Sequence, residues 1–222
     1  MELLLLNILL AALPSLILLW YFNRWDRGRS EPAGLLLFTF FLGFLAVIPA
    51  AVMEMLIDPL RLPFPPLLQL LFRAFIVAGL VEEGVKLFVV RRFILGRPAF
   101  DEVMDGIIYT ITASLGFAFF ENIFYSFGGP GTLIIRGLTA VPLHAVASGI
   151  MGYYLGISKF GQADIWKKGL LIAIAIHGAY DFFLFLGGGF AFLTFPLLLW
   201  SLRSLSRLHH KAIEADRQSG RI

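Results

Sequence analysis

Apolar residues fall in seven long runs along this chain, roughly at 3–22, 34–57, 70–91, 104–126, 133–157, 169–186 and 189–204, with short polar or glycine- and proline-containing segments between them. An α-helix needs about 20 apolar residues to cross the hydrocarbon layer of a bilayer. Inside that layer the backbone must satisfy its own hydrogen bonds, which favours helices. The pattern therefore predicts an all-α, polytopic transmembrane helical bundle of about seven spans. The last run is the weakest. It is short, follows Gly187-Gly188-Gly189 and contains Pro196, so a hairpin that dips in and returns is its alternative. The first run reads as a retained span rather than a cleaved leader, because Glu2 stands where a leader would be basic and no small-residue cleavage site is evident. Pro63, Pro65 and Pro66 predict a stiff second loop.

Basic residues punctuate alternate segments only. Arg24, Arg27 and Arg29 follow the first run, Arg91, Arg92 and Arg97 the third, and Lys159, Lys167 and Lys168 the fifth. Arg203, Arg207, Lys211, Arg217 and Arg221 follow the last. The intervening segments hold Arg61 or no cation, with Arg73 and Arg136 near the outer ends of their runs. Cytoplasmic loops carry the excess of Lys and Arg. The N-terminus is thus expected outside and the C-terminus in the cytoplasm. The chain reads as one integral membrane domain, 1–222, with a helical core at 70–186 and a basic cytoplasmic tail at 204–222. That tail is expected to fray, leaving His209 and His210 solvated.

Composition narrows the function classes. Of 222 residues, 59% are hydrophobic and 15% charged, against about 25% charged in soluble domains. There is no cysteine, which excludes disulfides, thiol nucleophiles and thiolate metal ligands. The net charge of +3 comes from basic residues clustered between apolar runs. That placement suits membrane topology and not nucleic-acid binding. Trp20, Trp25, Trp166 and Trp200 all fall near span ends, as interface anchors do.

The chemistry lies where charge is most costly. Glu82, Glu83 and Lys86 sit in the middle of the third run, and an intramembrane charge costs about 2.5–3.5 kcal/mol or more. On a helix Glu82 and Lys86 are one turn apart, with Glu83 to the side, so Lys86 can neutralise either carboxylate and leave the other free. The fourth span places Phe117, Glu121 and Tyr125 on one stripe with Asn122 beside it. The fifth aligns His144 and Ser148 with Gly152 and Gly156, small residues that allow close helix approach. The sixth sets Asp181 one turn from His177, the spacing by which a carboxylate orients an imidazole. Asp101, Glu102 and Asp105 suit the N-terminus of the fourth helix. Glu54 and Asp58 read as structural at the outer interface. The carboxylates and imidazoles share comparable depth, and together they can activate a water, directly or through a metal ion.

These four motifs, Glu82-Glu83-x-x-Lys86, Phe117-x-x-x-Glu121-Asn122-x-x-Tyr125, His144-x-x-x-Ser148 and His177-x-x-x-Asp181, resemble in order and spacing the PrsW family of glutamic-type intramembrane proteases. The family is distantly similar to the CAAX prenyl endopeptidases and bacteriocin-processing membrane proteases. In the latter the first motif usually ends in Arg, and His usually replaces the residue at Glu121. The resemblance implies a bacterial plasma-membrane protease that cuts a single-pass, anti-sigma-factor-like membrane protein within the lipid bilayer, on its extracytoplasmic side. It implies Glu82, Glu83, Glu121, His144 and His177 as catalytic residues. Lys86, Phe117, Asn122, Tyr125, Ser148 and Asp181 are then supporting or substrate-binding. Glu82, Glu121, His144 and His177 offer a ligand set for Zn²⁺, but no H-E-x-x-H helix is present, and metal-dependent and metal-free hydrolysis both stay open. The rival reading is a proton-coupled transporter or channel, since chains of Glu, Lys and His also relay protons.

The topology is directly testable. Reporters fused after residues 95 and 215 are expected to read as cytoplasmic. An extracytoplasmic signal at residue 95 would overturn the order of the spans.

Overall fold

The structure is a computed structural model that describes residues 2–25, 30–58, 64–161 and 164–221. Arg27, Arg29, Arg61 and Pro63, which entered the reading of the loops, lie outside the described residues. In chain order the helices are α1 (Glu2–Asn23), α2 (Ala33–Ile57), α3 (Pro66–Phe72), α4 (Val81–Val89), α5 (Val103–Tyr125), α6 (Pro130–Leu138), α7 (Ala140–Phe160), α8 (Trp166–Leu186) and α9 (Thr194–Gln218). No strand occurs among the described residues. Among the described residues, six helical segments are long and apolar enough to cross a membrane. The third expected run is different. It lies in a continuous helical rod over 66–94, in which π-helical turns at Arg73–Leu80 and Val90–Ile94 flank α4. Three buried charged residues on α4 set this rod apart from the six.

Two expectations need correction. The fifth run is not one helix: Thr139, at φ −124° and ψ −65°, breaks it into α6 and α7. Nor does the segment after Trp200 fray, for α9 continues to Gln218. Its apolar side is docked, with Leu205 and Ala212 fully buried. Buried Asp216 accepts hydrogen bonds from the amides of Val103 (2.8 Å) and Met104 (3.1 Å). The first amides of a helix have no partner within it, and Asp216 supplies one to α5 from more than a hundred residues away. His209 likewise is not free in solvent, since its ring lies 4.4 Å from that of Trp25. The hairpin alternative for the last run is not what forms. Pro196 falls in the first turn of α9, where its missing N–H breaks no helical bond.

Contacts sort the loop ends into two groups, as the charge alternation requires. At one end Lys159 donates to the carbonyls of Leu95 (2.7 Å) and Phe100, Arg91 stacks on Trp166 at 3.9 Å, and His209 meets Trp25. At the other, Asn7 donates to Ser126 O (3.4 Å), Asp58 pairs with Arg73 (2.9 Å), and Arg136 lies over Tyr125.

Helix α5 is the axis of the bundle, and every residue from Glu102 to Ala118 is buried. Its N-terminus carries a capping box of Glu102 and Asp105, as its acidic residues suggest. Small residues seat its neighbours. A Cβ at Gly152 of α7 would overlap Gly106 O and Thr110 Oγ1, and one at Gly43 of α2 would overlap Ala113 O. In lipid, helices are held by such close packing because the tails offer no hydrophobic drive between them.

Gly152→Val is therefore expected to lower stability by roughly 1–3 kcal/mol, the usual cost of overpacking. Gly84, where an added Cβ meets nothing within 4 Å, serves as the control. Thermal unfolding in detergent reads both variants, and equal midpoints would refute this packing account.

Candidate active site

The helical register at α4 decides the site. The wide π turn ends at Leu80, and from Val81 the chain is α-helical. Glu82, Glu83 and Lys86 therefore keep the spacing read from the sequence. Lys86 does not choose between the carboxylates. Its Nζ lies 3.1 Å from Glu82 Oε2 and 2.9 Å from Glu83 Oε1. It also donates to His144 Nδ1 at 2.9 Å and sits 4.2 Å above the Phe117 ring. This accounts for Phe117: its π face receives a cation that the membrane would otherwise expel.

Glu83 is wholly buried, and both its oxygens are engaged. Oε1 meets Lys86 and, at 3.0 Å, His177 Nδ1; Oε2 accepts from Ser148 Oγ at 2.8 Å. With Nδ1 donating to Glu83, His177 turns Nε2 toward Glu82 Oε2 (3.8 Å) and Asp181 Oδ2 (3.4 Å). The expected Asp181–His177 pairing is present, but Glu83 is the nearer anchor. His144 has its Nδ1 on Lys86 and its Nε2 3.0 Å from Glu121 Oε2. Its backbone oxygen accepts from Ser114 Oγ at 2.8 Å, which fixes α7 on α5 at this level. The two imidazole rings are 4.9 Å apart and nearly perpendicular. They share one site.

Asn122 and Tyr125 act differently from Glu121. Both hold Arg136, a residue the sequence marked only as a span end. Arg136 Nε donates to Asn122 Oδ1 at 2.8 Å, its guanidinium lies 3.7 Å above the Tyr125 ring, and Nη2 is 3.0 Å from Glu121 Oε1. The one hint was a lone arginine in an otherwise cation-free segment before His144. The hydrogen bond between Thr139 and Tyr180 (2.9 Å), at the α6–α7 break, had no sequence signal.

A cleft of about 550 Å³ runs from the end of the bundle that bears Asp58, Arg73 and Phe185 down to Glu82, His144 and His177. Glu54, Glu121, Tyr125, Arg136 and Asp181 also line it. Glu83, Lys86, Phe117, Asn122 and Ser148 do not; they stand behind the lining residues. Glu54, expected to be structural at the outer interface, lines the cleft. Glu82, His144 and His177 each offer one ligand atom, all within 4.8 Å of one another. Both oxygens of Glu121 are engaged, Oε2 with His144 Nε2 and Oε1 with Arg136 Nη2, each at 3.0 Å. Four carboxylates (Glu82, Glu83, Glu121, Asp181) share two cationic partners (Lys86, Arg136), and Glu54 lines the same cleft, so with neutral imidazoles and ionised carboxylates the cluster carries an excess of negative charge. A buried imbalance of that kind requires protons or a divalent cation to offset it.

Comparison with known proteins places the chain in a family. A family model described as PrsW family intramembrane metalloprotease matches residues 31–202. Protease PrsW of Geobacillus kaustophilus is 37% identical over 194 residues, covering 84% of this chain and 84% of the relative. Protease PrsW of Bacillus subtilis is 33% identical over 194 residues, covering 84% and 87%. That of Clostridioides difficile is 33% identical over 208 residues, covering 87% of each. No solved structure matches. The extent of these matches, over the helices that build the cleft, shows that the chain belongs to the PrsW family and is an intramembrane protease of the bacterial plasma membrane.

Proposed function

We propose that the protein hydrolyses a peptide bond of a single-pass, membrane-anchored substrate of the anti-sigma-factor type, using water activated at Glu82, His144 and His177. The observation that carries this reading is the convergence of those three side chains, from three helices, at the floor of a cleft. In the topology drawn from the charges, the cleft mouth at Asp58 and Arg73 faces the extracytoplasmic side, which suits a cut on that side. Membership in a protease family favours hydrolysis over the proton-transport reading of the same residues.

The donor set fits a divalent cation. Two imidazoles and a carboxylate with an open position match catalytic zinc sites, and a cation would offset the excess of negative charge. Glu82, His144 and His177 would hold it, and it would supply Lewis-acid polarisation of the carbonyl and a more acidic water. Lys86 lies on His144 Nδ1, so a cation that took that nitrogen would have to displace the ammonium.

The remaining roles follow from position. Glu83 has no access to the cleft and no free oxygen, so it positions His177 and does not take the proton. Glu121 lines the cleft beside His144 and is the acceptor assigned here for the proton of water. Arg136 holds that carboxylate through Oε1. Asp181 and Ser148 steady His177, one directly and one through Glu83.

Cleavage of a single-pass substrate by purified protein, read beside elemental analysis, tests this assignment. Glu82→Gln is expected to lose metal and activity together. Glu121→Gln should keep the metal and lose about 10²–10⁴-fold in kcat, the usual worth of a general base. Full activity in Glu82→Gln would remove the site, and an active wild type free of metal would remove the cation.

The supporting residues should show a graded effect. Ser148→Ala and Asp181→Asn are each expected to cost roughly 10–100-fold in activity or metal affinity, less than His177→Ala. A larger loss from Ser148→Ala than from His177→Ala would contradict the chain of contacts through Glu83.

A further inference from the structure

A second concavity, of about 630 Å³, lies between α7, α8 and α9 and shares no residue with the cleft. Its walls are of two kinds. Ile150, Tyr154, Ile172 and Trp200 form an apolar side, while Arg207, His210 and Lys211 form a basic one. It lies toward the end of the bundle that the charge pattern assigns to the cytoplasm, and Lys168 of α8 reaches 5.4 Å from the Tyr154 ring there. Arg203, Arg207 and Lys211 recur at every fourth residue of α9 and so share a stripe. All three are exposed, and among the described residues none has an acidic partner in an ion pair. Glu214 lines the same concavity and is paired with none of them.

We propose that this groove binds an anionic phospholipid of the cytoplasmic leaflet. The acyl chains lie along Ile150, Ile172 and Trp200, and the phosphate sits on Arg207 and Lys211. Charge complementarity selects this occupant. A neutral lipid leaves a stripe of unpaired cations without a counter-charge, and a soluble anion leaves the apolar wall uncovered. Basic pockets between membrane helices on the cytoplasmic side suit anionic headgroups, with each nearby Lys or Arg adding to the attraction. The bound lipid braces α9 against α7 and α8, and α9 carries Asp216, which caps α5.

The test uses the full chain in neutral detergent, with thermal unfolding and native mass spectrometry as readouts. Added phosphatidylglycerol is expected to raise the unfolding midpoint with saturation and to remain bound in the mass spectrum, while phosphatidylcholine does neither. Arg207→Gln with Lys211→Gln should weaken the apparent affinity about 30-fold, and Lys211→Gln alone about 5-fold. Arg91→Gln with Arg92→Gln, on the same face but outside the groove, should leave the response unchanged. Equal responses to the two lipids would overturn the proposal. So would an undiminished response in the Arg207/Lys211 variant, or a stabilisation that inorganic phosphate alone reproduces.

Discussion

The ammonium of Lys86 is the point on which the interior depends. A buried charge is tolerated only when it is paired and hydrogen-bonded from several directions. Lys86 meets that condition with Glu82, Glu83 and His144 as partners and the Phe117 ring as a lid. Those four residues come from three helices. The cation thereby fixes α4 against α5 and α7 at one depth. His177 on α8 is tied in through the same Glu83 oxygen. The polar cluster at the floor of the cleft is thus also a register mark for four membrane-embedded helices, in a medium where apolar contacts alone specify register poorly.

The packing beneath this cluster is of another kind. Helix α5 approaches α2 and α7 closely enough that backbone oxygens fill the space where side chains would stand at Gly43, Gly106 and Gly152. This leaves little freedom for sliding, so the carboxylates and imidazoles hold their spacing without loops. The wide π turns at Arg73–Leu80 rotate the rod before α4 begins, and π segments inside helices often accompany functional sites. The cleft connects the cluster to the end of the bundle that bears Arg73 and Asp58. The division between residues that line the cleft and those behind it separates Glu82 from Glu83, although the two are adjacent in sequence and alike in chemistry.

The sequence by itself determined the class, the spans and most of the participants. Apolar runs of membrane length dictate helices, since nothing else satisfies the backbone in lipid. Charges inside those runs are so costly that Glu82, Glu83, Lys86, His144 and His177 stand out without any comparison. The i,i+3 and i,i+4 contacts of Lys86 were legible because they lie within one helical turn of known geometry. Contacts across helices were not. Only the tertiary structure decided that Glu83 is enclosed and Glu82 open, since that depends on how Ser148 and His177 meet α4 from two other helices. Arg136 joined the site because α6 lays it against Glu121, Asn122 and Tyr125 of α5, a contact between helices that an apolar run does not reveal. The basic tail became a docked helix because Asp216 caps amides more than a hundred residues away. Periodicity reports which face of a helix is polar; which neighbour that face meets is set by packing, and packing is a property of the whole chain.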